Sequence, residues 1–331
     1  MGSIPNPICA PAKPSIGPQT YSLGCTVTIC LIGDHRDLSL TYVGWLARRR
    51  EIEVLLLDEE QLGVEWEFGY DPTLGAGRVS QRGATFTFES IRGAVVRFNP
   101  QPAMPEGVTL PRDEEVLMIV ERRLAIEHLL NVAPFAVANR PNCGRSNGSK
   151  PYQMATLAGL GFEVPRWLAT NDEAAAKEFV AEHNGRVICK SCSGLRSRVR
   201  FVSDELFERM KDGTSPVLLQ DWVPGRDVRV HVVSGVAFGT EIVSDGVDYR
   251  FDGGAQEYRV CSVPPGVAEL CLRVLELEGL IIAGLDFRVT PEGAWYCLES
   301  NPVPTFLPYE MMTGQPIGDA LLDALIAANR D

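Results

Sequence analysis

Long apolar runs and secretion signals are absent from this 331-residue sequence. No run approaches the roughly 20 apolar residues that a membrane-spanning helix needs. Residues 1–24 are rich in proline and lack the basic stretch and apolar core of a signal peptide. We therefore predict a flexible tail on a cytoplasmic protein that does not bind membranes.

Positive charge and a cysteine framework are also scarce. Acidic residues outnumber basic ones by 43 to 31, which gives a formal net charge of −12. A protein that wraps nucleic acid needs the opposite balance, so we expect no nucleic-acid partner. The 9 cysteines are odd in number and scattered, unlike the paired cysteines of short secreted domains.

The first half of the chain alternates strand and helix patterns. Apolar, β-branched runs predict strands at 26–32, 52–57 and 94–98, and helical spacing predicts helices after residue 38 and at 114–130. Several glycines and a proline predict a loop at 69–83. Residues 25–135 are therefore predicted to form a small α/β domain with a partly parallel sheet.

Beyond residue 135 the patterns predict short antiparallel strands with segregated helices. The predicted helices are 152–160, 173–183, 204–211, 266–277 and 317–328, and the predicted strands are 186–191, 198–202, 217–222, 228–233, 237–243, 285–290 and 295–299. This is an α+β architecture in two lobes, 136–215 and 216–331. Nucleotides often bind between such lobes.

Three oxygen-bearing side chains stand close together near the end of the sequence. A turn at 291–293 predicts a hairpin in which Asp286 and Glu299 face each other, and Asn301 projects from the same face as Glu299. Carboxylate and amide oxygens are the ligands that Mg²⁺ prefers. The alternative is that these residues are solvated positions on a half-exposed hairpin.

Two lysines precede this group in settings that suit phosphate binding. Lys150 stands at a helix entrance, and Lys190 ends a predicted strand. A lysine at either place can direct its ammonium group at phosphates held between lobes. Each could equally be an ordinary surface lysine.

The segment 218–229 is an apolar strand that breaks at Pro224 and Gly225 and then resumes. Such a linker can present backbone groups to an adenine edge, while Asp227 accepts hydrogen bonds from ribose hydroxyls. The alternative is an ordinary connection between two strands.

These pieces occur in a characteristic order, which is Asn139-Arg-Pro, Ser149-Lys-Pro, Cys189-Lys, Gly194, Gln220-Asp-Trp-Val, Asp227-Val-Arg, Asp248-Tyr-Arg, Gly284-Leu-Asp-Phe-Arg and Glu299-Ser-Asn-Pro. The order resembles the ATP-grasp superfamily, in particular RimK-type glutamate ligases and the ligases that crosslink graspetide peptides. The likeness covers residues 139 to about 326 and, more weakly, the N-terminal domain. It implies an ATP-grasp fold, in which a pre-ATP-grasp domain precedes two lobes that clasp ATP.

The resemblance also implies roles for individual residues. Nucleotide contacts would come from Lys150, Lys190, Gly194, Gln220, Asp221, Trp222, Val223 and Asp227, the metal ligands would be Asp286, Glu299 and Asn301, and the catalytic arginines would be Arg229, Arg250 and Arg288. The cofactors would be ATP and Mg²⁺, for which Mn²⁺ can substitute. The implied reaction is ADP-forming ligation of an amino acid or peptide through an acyl phosphate.

One segment departs from the family pattern. Gly194 is followed by Arg196, Arg198 and Arg200 instead of further glycines, and alternating arginines could clamp phosphate from one strand face or lie in solvent.

Two other functions stay open on this sequence: a small-molecule kinase on the same scaffold, and a non-catalytic nucleotide- or peptide-binding module. The sequence does not fix the acyl donor, the nucleophile, the choice of amide or ester, or the oligomeric state, for which a homodimer is one option. A precursor peptide is one candidate substrate.

Overall fold

The computed structural model describes residues 27–105, 107–194, 199–211, 215–243 and 257–328. The predicted tail, Arg196, Arg198 and Arg250 lie outside these ranges. Over the part of the chain that is described, no helix is both long and apolar enough to cross a bilayer.

The described ranges contain strands and helices in the following order. The strands are β1 (Thr28–Gly33), β2 (Glu53–Asp58), β3 (Trp66–Asp71), β4 (Ala76–Gln81), β5 (Ala84–Thr87), β6 (Ile91–Arg97), β7 (Ala136–Ala138), β8 (Trp167–Thr170), β9 (Val187–Ser191), β10 (Arg200–Phe201), β11 (Val217–Asp221), β12 (Arg226–Val233), β13 (Val236–Val243), β14 (Glu257–Cys261), β15 (Ile282–Val289) and β16 (Trp295–Asn301). The helices are α1 (Leu38–Arg49), α2 (Arg112–Val132), α3 (Lys150–Leu160), α4 (Glu173–Glu182), α5 (Asp204–Lys211), α6 (Pro265–Glu278), α7 (Leu307–Thr313) and α8 (Ile317–Ala327).

The first sheet is parallel, with the strand order β2-β1-β6-β7. Its strands are buried on both sides, which explains why β1 is a continuous apolar run. Helices α1 and α8 pack on one face. Helix α2 and the strands β3 to β5 pack on the other face.

The loop predicted at 69–83 is wrong, because this segment belongs to the antiparallel meander β3-β4-β5. Of the glycines that suggested a loop, Gly69 and Gly77 lie inside strands, whereas Gly75 and Gly83 lie in the turns between the strands. At Gly77 a Cβ atom would stand 2.3 Å from the Phe88 ring, so the missing side chain makes room for that ring. The glycine is thus required by packing against a residue outside the strand, which local turn preferences do not register.

A central antiparallel sheet has the order β10-β9-β11-β8. Helices α4 and α5 cover one face through Phe179 and Met210. The side chain of Asp172 starts α4 by accepting hydrogen bonds from the backbone N–H groups of Ala174 and Ala175. The opposite face of the sheet carries Ile188, Lys190 and Gln220, which alternate with the covered residues.

The C-terminal sheet is antiparallel, with the order β14-β13-β12-β15-β16. One face packs against α6 and Leu157 of α3. The predicted hairpin is present as β15 and β16. Besides β3, β4 and β5, the elements that the patterns did not predict are β7, β8, β14 and α7.

Candidate active site

Strand alternation sorts the side chains of the C-terminal sheet into an apolar face and a polar face. On β12, Val228, Val230 and Val232 enter the core. The residues between them, Asp227, Arg229 and His231, project from the other face. Because β15 pairs with β12 residue for residue, its Gly284, Asp286 and Arg288 stand beside them on that face.

A β-bulge brings the two acidic residues side by side. Asp286 pairs with Glu299, whereas the next residue, Phe287, pairs with Cys297, so Leu298 is the extra residue on β16. Bulges of this kind re-aim side chains next to functional sites. Asn301 follows on the same face and pairs with Gly284, and its Oδ1 accepts a hydrogen bond from the Val303 N–H at 2.9 Å.

Arg229 lies against the acidic pair. Its Nη1 donates to Asp286 Oδ1 at 2.7 Å, and its side chain is 7 % exposed. Burial raises the pKa of the Asp286 carboxyl to about 6, an effect that Arg229 opposes and the neighbouring Glu299 reinforces. Two carboxylates therefore share a partly desolvated place in which they repel each other, and a bound cation would relieve that repulsion.

The lysines approach from the other side. Ser149 starts α3 by accepting from the Tyr152 N–H, so Lys150 stands in the first turn, where its Nζ donates to the Ser193 carbonyl at 2.5 Å. Lys190 is buried on β9. Gly194 follows β9 and lies next to the chain just before α3, because its N–H donates to the Gly148 carbonyl at 3.0 Å.

Between β11 and β12 the chain forms a short linker that Arg288 holds in place. Arg288 Nε donates to the Val223 carbonyl at 3.1 Å, and its Nη1 donates to Asp227 Oδ2 at 2.8 Å. Its guanidinium carbon lies 4.6 Å from the centre of the Trp222 ring. Next to this linker, Gln220 is 2 % exposed and its Oε1 has no hydrogen-bond partner among the described residues.

These side chains line one cavity of about 450 Å³ between the central and C-terminal sheets. Of the residues predicted from the sequence, it brings together Lys150, Lys190, Gly194, Gln220, Trp222, Val223, Asp227, Arg229, Asp286, Arg288, Glu299 and Asn301. Asp221 is not among the lining residues; its N–H donates to the Arg166 carbonyl at 2.9 Å.

The cavity also includes residues that the sequence did not single out. Gln153 is 3 % exposed and bonds both backbone groups of Ser300, donating to its carbonyl at 2.8 Å and accepting from its N–H at 3.0 Å. Its spacing of three residues from Lys150 on α3 was the available signal. Thr305 also lines the cavity and comes from a segment without a recognisable pattern.

The donor set fits a hard divalent cation. Within the described ranges, no three His, Cys, Asp or Glu side chains cluster as metal ligands. The two carboxylates of Asp286 and Glu299 would therefore be completed by the amide oxygen of Asn301, with phosphate and water in the remaining positions. That is the usual arrangement for Mg²⁺, which is held by few protein ligands.

Comparison with known proteins gives sequence relatives among amino-acid ligases. No family model matches the chain. A D-alanine–D-alanine ligase of Citrifermentans bemidjiense is 29% identical over 150 residues, which cover 40% of this chain and 48% of that enzyme. The chain spans about half the length of the curated relatives it matches.

Solved structures match over nearly the whole chain. The ATP-grasp ligase PsnB complexed with a minimal precursor is 27% identical, with a TM-score of 0.76 over 91% of this chain and 98% of that one. Another PsnB complex contains Mg and ADP. A RiPP-associated ATP-grasp ligase of Chryseobacterium gregarium, in complex with ADP and a leader and core peptide, is 18% identical, with a TM-score of 0.80 over 92% of this chain and 100% of that one. By fold and sequence likeness together, the chain has an ATP-grasp fold and is similar to ligases of the ATP-grasp superfamily.

Proposed function

We propose that the chain is an ATP- and Mg²⁺-dependent ligase that activates a carboxylate as an acyl phosphate, joins it to a nucleophile, and releases ADP and phosphate. One observation carries the proposal: a single cavity is lined by Lys150 and Lys190 on one side and by Asp286, Glu299 and Asn301 on the other. Such a cavity can hold a triphosphate between cations of the protein and a metal ion.

The nucleotide would lie along the linker between β11 and β12. The buried Oε1 of Gln220 is an acceptor for the adenine amino group. Asp227 would bind the ribose hydroxyls, and Arg288 would fix both Asp227 and the Val223 carbonyl through the bonds described above. We therefore assign Arg288 a positioning role in place of the catalytic role predicted from the sequence.

The reacting end of the nucleotide would lie near Arg229. Bound Mg²⁺, held by Asp286, Glu299 and Asn301, would neutralise charge on the phosphates. Lys150 and Lys190 would hold the phosphate oxygens, and the guanidinium of Arg229 would stabilise the negative charge of the transferred group. Arg250, which lies outside the described residues, stays a second candidate for that role.

The acyl phosphate solves a leaving-group problem. An amine or hydroxyl cannot displace oxide from a carboxylate, whereas it can displace phosphate. The enzyme then has to orient the reactants and balance charge. Because PsnB is complexed with a minimal precursor and the Chryseobacterium enzyme with a leader and core peptide, we propose a peptide as the substrate and a carboxylate of that peptide as the acyl donor.

The first test replaces a proposed metal ligand. Glu299→Gln should lower the rate of ADP and phosphate release about 100-fold or more, because it removes one of the two negative charges that would hold Mg²⁺. Its matched control is Glu292→Gln on the exposed turn of the same hairpin, which should keep wild-type turnover. Equal turnover in the Glu299 variant and the control would contradict the metal assignment.

A trapping experiment separates the ligase from a kinase. With ATP, Mg²⁺, an acidic peptide and hydroxylamine, the ligase should form a peptide hydroxamate together with ADP and phosphate. A stable phosphorylated product and no hydroxamate would support the kinase instead. Formation of AMP would exclude the acyl-phosphate mechanism.

A further inference from the structure

Gly284 lies at the middle of the polar face, between the proposed metal site and Arg229. It is buried on β15 and pairs with His231 on one side and Asn301 on the other. A Cβ atom at this position would stand 2.2 Å from Nη2, 2.5 Å from Cζ and 2.6 Å from Nε of Arg229. The three nearest atoms thus all belong to the Arg229 side chain.

Backbone geometry does not account for this glycine. Its backbone is that of a regular β-strand, without the positive φ that favours glycine elsewhere in the chain. Glycine inside a strand is destabilising relative to alanine, because it loses more backbone freedom on folding. Its presence here therefore requires a close approach of another group, and that group is the guanidinium.

We propose that Gly284 is a positioning residue, whose missing side chain forms a seat that holds the Arg229 guanidinium flat against β15 and beside Asp286. Seated there, Arg229 bonds Asp286 Oδ1 at 2.7 Å and lines the cavity at the same time. A methyl group at position 284 would push the guanidinium away from that carboxylate. The effect of Gly284 on the position of Arg229 does not depend on the proposed ligase function, whereas its effect on turnover rests on that function.

The atoms that a Cβ at position 284 would meet lie at the end of the flexible Arg229 side chain. The substitution should therefore disturb that side chain and not the backbone. Gly284→Ala should leave the fold intact and displace only the guanidinium. The matched control is Gly266→Ala at the start of α6, where a Cβ atom would meet nothing within 4 Å. If Gly284→Ala does not fold, Gly284→Ala combined with Arg229→Lys should fold, because the ammonium group lacks the planar fork; failure of that double variant as well would overturn the proposal.

The seat can be tested without any enzymatic assay. Arg229→Met and Asp286→Asn, made singly and together, give the coupling between the two side chains in the free energy of unfolding. This coupling should be present in the wild-type background and in the Gly266→Ala background. It should be absent in the Gly284→Ala background. Equal coupling in all three backgrounds would overturn the proposal even if the chain had no ligase activity.

Kinetics then test the consequence for turnover. Gly284→Ala should lower kcat by about 100-fold, the loss that a misplacement of about 1 Å can cause, while the KM for ATP changes less than twofold. In the Arg229→Lys background the same substitution should have no further effect, since the seat then has no guanidinium to hold. Wild-type kcat in Gly284→Ala, or additive losses in the double variant, would overturn the proposal.

Discussion

His231 is fully buried on β12, two residues beyond Arg229. Its Nε2 lies 3.3 Å from the Thr305 carbonyl, and its ring meets the Tyr309 ring at a centroid distance of 4.8 Å. Burial, with a contribution from Arg229, holds the pKa of His231 well below its usual value of 6.5. His231 is therefore neutral in the folded protein. It does not place a second positive charge beside the Arg229 guanidinium.

This histidine should make the fold sensitive to acid. Below pH 6.5 the unfolded chain binds a proton at His231 that the folded chain does not bind, so stability falls as the pH decreases, by up to about 1.4 kcal/mol per pH unit. His231→Asn should remove that part of the slope. Urea unfolding at about pH 7.5 and about pH 5.5 measures it, and an unchanged slope in the variant would contradict the assignment.

At the scale of elements, α3 and β16 are joined by one side chain. Gln153 bonds the N–H and the carbonyl of Ser300, the residue between the proposed ligands Glu299 and Asn301. It also donates to the Ser146 hydroxyl at 3.1 Å. The helix that begins with Lys150 thereby fixes the strand that carries the metal ligands.

Removing that link should loosen the metal site. Gln153→Leu leaves both backbone groups of Ser300 without their side-chain partner, and loss of such an outer contact typically weakens metal affinity about 10- to 100-fold. The Mg²⁺ concentration that gives half-maximal ADP release should rise accordingly. Thr156→Val, at a half-exposed position of the same helix, is the control, and an equal Mg²⁺ requirement in both variants would rule out the link.

At the scale of the whole molecule, the cavity is bounded by two sheets from different parts of the chain. Ile188, Lys190 and Gln220 come from the central sheet, whereas Asp227, Asp286 and Glu299 come from the C-terminal sheet. Because β11 (Val217–Asp221) pairs with β8 and β9 in the central sheet, we propose that the central lobe runs from residue 136 through β11 and that the C-terminal lobe follows it, with 25–135 as the preceding domain. A nucleotide in the cavity would bind both sheets at once.

Nucleotide and metal should therefore stabilise the protein together. At a free ligand concentration about 100 times Kd, binding to the folded state alone adds about 2.7 kcal/mol. ADP with Mg²⁺ should raise Tm more than ADP with a chelator. In Glu299→Gln the two conditions should give the same Tm. An equal rise in Tm with Mg²⁺ and with the chelator would contradict a site in which the metal assists nucleotide binding.

Elements that local sequence patterns encode could be predicted, whereas features that depend on contacts between distant residues could not. The apolar run of β1 and the helical patterns of α3 and α4 are local signals, and the predicted elements match. Local turns also predicted the β15–β16 hairpin. The bulge at Leu298 and the seat at Gly284 depend on contacts across strands, which no local pattern encodes.

The same reasoning explains the misses. Gly77 lies in β4, where the Phe88 ring occupies the space that a Cβ would need, and α7 is a helix of only 7 residues. The family resemblance supplied the set of site residues that share the cavity. It did not supply Gln153, whose importance depends on the backbone of Ser300, nor the linker contacts of Arg288.

The strand β16 is the last strand of the described sheets in sequence, and it pairs at the edge beside β15. A nascent chain that ends before β16 contains Arg229 and Asp286 but neither Glu299 nor the Asn301 amide that would complete the ligand set. Such a translation product would carry the lysines and only one of the three proposed metal ligands. Under the proposed function it could not turn over ATP, so hydrolysis would begin only after β16 has been made.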